Sequence, residues 1–106
     1  MRIVFPTVEN LSYMSEVATN FTNAKYFTVL NLSGQTISSV EMLENRNEDI
    51  VKLFKNNSFN ALVTSDTNDL PIEDLKKVGV SIFKETNRKK VLALYSDFVQ
   101  DKLKKI

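Results

Sequence analysis

The chain has 106 residues, 14 Lys and Arg against 13 Asp and Glu, and neither histidine nor cysteine. Imidazole and thiolate chemistry is therefore excluded: these side chains can build no zinc site of the usual kinds, no thiolate-held iron–sulfur cluster, no Cys–His pair and no Ser–His–Asp triad. A net charge of +1 speaks against a dedicated nucleic-acid binder, and without cysteine nothing points to an oxidising compartment.

In chain order, residues 2–6 read as a short buried strand closed by Pro6 and Thr7. Residues 8–25 are polar and irregular, with room for a helical turn over 13–19; so long a connection is usually functional or mobile. Residues 26–32 alternate as a strand, Tyr26, Thr28, Leu30 and Leu32 on one face and Phe27, Val29 and Asn31 on the other. Ser33-Gly34-Gln35 is a turn, and residues 36–43 complete a β-hairpin. A helix is predicted over 48–56, with Asn47 as N-cap and Ile50, Val51, Leu53 and Phe54 inward. Residues 60–64 form a buried strand. A second helix runs over 71–78, with Pro71 at N1 and Gly79 supplying the left-handed C′ position. Residues 80–83 are the last strand. A third helix is expected over 88–103, capped by Asn87, with Val91, Leu94, Tyr95, Phe98 and Leu103 at helical spacing. Arg88, Lys89, Lys90, Lys102, Lys104 and Lys105 then form its solvated face.

A hairpin followed by crossover units gives an α/β fold: a mixed five-strand sheet with helices on its faces. The predicted core rests on Phe27, Leu30, Phe54, Leu62, Leu75, Phe83, Leu94 and Phe98. The length fits one domain, residues 1–106. The opening apolar run is too short for a signal peptide, and no stretch approaches the roughly 18 residues of a membrane span. The expectation is a soluble cytoplasmic protein with no membrane and no nucleic-acid partner. Glu41, Glu44, Glu48 and Asp49 form an acidic stretch whose last two members suit a helix N-terminus.

The run Ser15-Glu16-Val17-Ala18-Thr19-Asn20-Phe21-Thr22-Asn23-Ala24-Lys25-Tyr26-Phe27 resembles a known signature. That signature is the Ser-x-Val-x-x-His-Phe-Gly-Arg-Ala-x-x-Phe of the dinitrogenase iron–molybdenum cofactor biosynthesis family. Residues 1–7, ending Pro6-Thr7, look like that family's opening strand, and residues 37–45 like its third. Leu75, Gly79, Val80 and Phe83 match its Leu-x-x-x-Gly-Ile-x-Val-Tyr stretch. The resemblance implies a three-layer ribonuclease-H-like fold with three helices. Its five strands would lie in the order 3-2-1-4-5, only the second antiparallel to the rest. It also implies a nitrogenase cofactor-carrier-like role, with iron–sulfur or iron–molybdenum clusters held near the His-Phe-Gly loop and a glycine-rich loop after the fourth strand. The chain departs from the signature where that role would reside. Asn20 stands at the His position, Thr22 at the Gly position and Asn23 at the Arg position, and residues 64–69 hold no glycine. A Gly-rich loop lets backbone N–H groups cradle an anion; residues with a Cβ mostly cannot.

The candidate site is accordingly Ser15, Asn20, Thr22 and Asn23 on one loop with Ser65, Asp66 and Thr67 on the other, flanked by Asn68 and Asp69. The loops follow the first and fourth strands, and in open α/β sheets ligands bind beyond the carboxyl ends of strands. Hydroxyls, amides and one carboxylate suit a polar ligand or a hard cation better than a soft metal. Turn chemistry and capping ahead of Pro71 explain the same residues without any ligand. No residue set supplies acid, base and nucleophile, and a two-metal nuclease would need an acid that the first strand lacks. The expected function is a small non-catalytic binding or carrier domain that does not itself ligate a metal cluster. Its ligand would be a small anion, or a cluster held mainly by a protein partner. The alternative is a protein–protein interaction domain with a vestigial site.

Overall fold

A computed structural model describes residues 1–68, 70–87 and 89–106. The first strand, β1 (Arg2–Thr7), is buried from Ile3 to Thr7, which requires cover on both faces. It lies inside the sheet. β2 (Tyr26–Ser33) pairs antiparallel with β1, and β3 (Thr36–Glu44) antiparallel with β2. Gly34 turns the hairpin with the left-handed φ of +64° that its two-residue loop requires. On the other side β4 (Ala61–Thr64) and β5 (Ser81–Lys84) extend the sheet in parallel.

The sheet has six strands in the order β3-β2-β1-β4-β5-β6, not five. The addition, β6 (Lys104–Lys105), runs antiparallel to β5, so the second strand is not the only one antiparallel to its neighbours. The expected helix over 88–103 hid it. The observed helix, α3 (Val91–Val99), is shorter at both ends. At its start Asn87 is not the cap; Lys90 holds that place in extended conformation. Residues 89–91 are drawn into pairing with the 15–17 segment: Val17 N–H donates to Lys89 O and Val91 N–H to Ser15 O. At its end Asp101 takes a left-handed φ of +58°, and Lys102 N–H closes onto Asp97 O. That pattern ends a helix and reverses the chain, here with Asp where Gly is usual. Arg88, expected in this helix, lies outside the described residues.

α1 (Ile50–Asn56) also starts late. Asp49, not Asn47, is the N-cap, its Oδ1 accepting from Val51 N and Lys52 N. Asn47 has φ +56°, a loop conformation. α2 (Ile72–Lys77) follows Pro71, and Gly79 at φ +88° closes it, with Val80 N–H donating to Leu75 O. Within residues 8–25 the helical turn is a single 3₁₀ turn, Ser12–Met14.

The strands alternate between two cores, giving the three layers. Ile3, Phe5, Leu30, Ala61 and Val63 pack against Val91 and Leu94 of α3. Val4, Phe27, Val29, Leu62 and Ile82 pack against Phe54 of α1 and Leu75 of α2 on the opposite face. Six of the eight expected core residues are buried. Phe83 and Phe98 are only partly so; their rings meet edge to face at 5.1 Å. Among the described residues no helix is long and apolar enough to cross a membrane.

Candidate functional site

The two predicted loops lie at the ends of neighbouring strands, β1 and β4, and each is folded on itself. In the first, Ser15 is buried and its Oγ accepts from Leu11 N–H at 2.8 Å. Asn20 Oδ1 accepts from both Thr22 Oγ1 (2.9 Å) and Asn23 N–H (2.8 Å), so the amide standing at the signature His position is committed to its own turn. In the second, Thr64 Oγ1 donates to Asp66 O, and Asp66 accepts from Asn68 N–H at 3.0 Å and from Asn68 Nδ2 at 3.3 Å. Ser65 is buried beside them, and Leu70 N–H donates to Thr67 O. Among the described residues no hydrogen bond joins the two loops, and no side chain caps α2. Asp69 lies outside the described residues.

The 20–23 turn instead faces the segment between β3 and α1. A cavity of about 240 Å³ opens there, with Phe21, Phe27, Ile50 and Leu53 as its apolar wall. Thr22, Glu44, Asn45, Arg46, Asn47 and Glu48 form its polar rim. Of the predicted site residues only Thr22 lines it. Local pairing fixes both walls. Asn45 N–H donates to Lys25 O and Asn45 Nδ2 to Ala24 O, both at 2.9 Å, while Asn45 Oδ1 accepts from Asn47 N–H. Phe21 stacks on Phe27 at 5.5 Å between ring centroids. Sequence reasoning missed residues 44–48. The signal was the Asn45-Arg46-Asn47 run between a strand and a helix, residues that build turns and tolerate a left-handed φ.

The donor chemistry decides whether the cluster implied by the sequence resemblance fits. The two loops offer hydroxyls, carboxamides and the carboxylates of Glu16 and Asp66, all hard ligands, where iron–sulfur clusters take thiolate and in some cases imidazole. Among the described residues no three Asp or Glu side chains converge as a metal site. These residues do not fit an iron–sulfur or iron–molybdenum cluster.

No family model and no curated protein sequence matches the chain. Solved structures do match it in shape. The apo form of the orange protein from Desulfovibrio gigas superposes with a TM-score of 0.83 at 14% identity, over 99% of this chain and 92% of that one. A Thermotoga protein given as NifB-like, of the DUF35 family, gives 0.81 at 22% identity, over 98% of this chain and 91% of that one. A Methanocaldococcus jannaschii protein provisionally assigned as a dinitrogenase gives 0.78 at 18%, over 100% and 94%. At these identities the likeness is one of fold.

Proposed function

We propose that the chain is a small non-catalytic binding domain related to nitrogenase-cofactor accessory proteins, and that it does not itself ligate a metal cluster. One observation carries this reading: a fold shared from end to end with a NifB-like protein and the orange protein is paired with a chain that has no thiolate or imidazole. The 20–23 loop is held by the Asn20 turn while lacking a soft ligand, and the preformed cavity beside it gives a small molecule a place to bind. The test is purification under anaerobic conditions after iron supplementation, with iron, sulfide and visible absorption measured. Sub-stoichiometric metal and no colour are expected. Stoichiometric iron and sulfide would overturn the reading.

A second reading, an interaction domain with a vestigial site, draws on one observation. Leu11, Tyr13 and Met14 are exposed in a row around the 3₁₀ turn, which packs near α3, where Leu92 is also exposed. Large apolar side chains clustered on a surface mark contact sites more often than isolated ones do.

A further inference from the structure

We infer that the cavity between the 20–23 turn and the β3–α1 segment binds a small organic cation, namely an aromatic or compact apolar body carrying one amine. This rests on the binding-domain reading and names the ligand class. It reverses the charge that the sequence resemblance implies.

Three features support it. The first is size. A cavity of about 150 Å³ accommodates benzene, so 240 Å³ holds one ring and a short arm. The second is the sign of the rim. Among the described residues Glu44 and Glu48 face it with Arg46 as the one base, and no lysine lines it. Arg46 Nε stands 3.7 Å from Glu44 Oε2, with the two side chains 73% and 69% exposed, a loose pair that partly cancels both charges. Glu48 has no ion pair among the described residues, so the rim carries a net negative charge. An incoming carboxylate or phosphate would meet that charge. An ammonium meets Glu48 and the Phe21 ring that lines the same cavity, and an aromatic quadrupole also attracts cations. The third is preorganisation. The backbone of the rim is held by the bonds from Asn45 to Ala24 and Lys25 and by the Asn20 turn, so no loop need be ordered on binding.

The test is a ¹⁵N–¹H NMR titration of the full chain with three isosteric probes: 2-phenylethylamine, 2-phenylethanol and phenylacetate. The amine is expected to give saturable shifts centred on residues 21–22 and 45–50, with a Kd on the order of millimolar, as befits so small a ligand. It should bind about fivefold or more tighter than phenylacetate. Glu48→Gln should bring the amine to the alcohol's affinity and leave the alcohol unchanged. Thr22→Trp, at an exposed turn position, should block all three probes, and the spectrum itself reports whether each variant is folded. Equal or tighter binding of phenylacetate would overturn the proposal, as would shifts centred elsewhere or no saturation by tens of millimolar amine. Iron and sulfide content decides the non-cluster reading separately, so the two can fail independently.

Discussion

Replacing Arg2 by methionine should cost about 2–4 kcal/mol of folding stability. The guanidinium ties four parts of the chain together. Its Nε donates to Asn31 Oδ1 at 2.9 Å, its Nη1 to the carbonyl of Asn57 after α1, and its Nη2 to Glu41 Oε2 on β3. The same group lies 4.8 Å from the centroid of the Phe59 ring. A hydrogen bond involving a charged group is worth about 1.5–3 kcal/mol, an exposed ion pair up to about 1, and a cation–π contact at a partly exposed site about 0.5–1. These contributions overlap, so their sum overstates the loss. Methionine keeps the apolar stem, which isolates the head group. Arg2→Lys keeps the charge but reaches only one acceptor at a time, and should cost about half as much. Urea unfolding followed by circular dichroism measures both, with the midpoint for the methionine variant falling by about 1–3 M. A methionine variant within about 0.5 kcal/mol of the native chain, or a lysine variant indistinguishable from it, would refute the reasoning. The pH dependence offers a second check. The hydrogen bond from Asn31, and after it the one from Arg2, hold the Glu41 carboxyl below its ordinary value of 4.5. A depressed folded value means that Glu41 contributes its stability fully above about pH 4.5 and loses it as pH falls through the folded value. The stability difference between native chain and methionine variant should therefore narrow in acid.

Phe98→Ala should cost about 2 kcal/mol, below the roughly 3–5 kcal/mol of a fully buried phenylalanine, because the ring is only partly covered where it packs on the core and meets Phe83 edge to face; thermal unfolding of the variant measures it. Gly79→Ala should cost about 1 kcal/mol although open space surrounds the added Cβ, because φ +88° at the end of α2 is a glycine conformation; denaturant unfolding separates that cost from zero.

The sheet was legible where side chains alternate. Residues 26–32 divide between two faces, and the structure buries Leu30 and Leu32 in one core and Phe27 and Val29 in the other. The closure of α2 was legible too, because Gly79 stands where only a left-handed residue ends the helix. Helix starts were less so. Asn47 and Asp49 are both good caps by type, and the choice between them came from the loop that Asn45 pins to Lys25, a contact between distant parts of the chain. The end of α3 was hidden because Asp101 does glycine's work and Lys104 and Lys105 continue the helical charge pattern. The placement of the two candidate loops at adjacent strand ends was legible. What sequence could not give was that Asn20 and Asp66 spend their acceptors on their own turns, or that Phe21 opens onto residues 44–50.

The change from antiparallel to parallel pairing at β1 also sets an order in time. On one side β1 pairs with β2, its successor in sequence, and β2 with β3 across a two-residue turn, both over long registers. On the other, Ile3 must find Ala61 and Val4 must find Leu62, with the hairpin and α1 between them. Loop closure on that scale costs entropy before any contact repays it. The antiparallel half can therefore assemble first and present β1 as a ready edge. The crossover strands then add to a template rather than searching for one another.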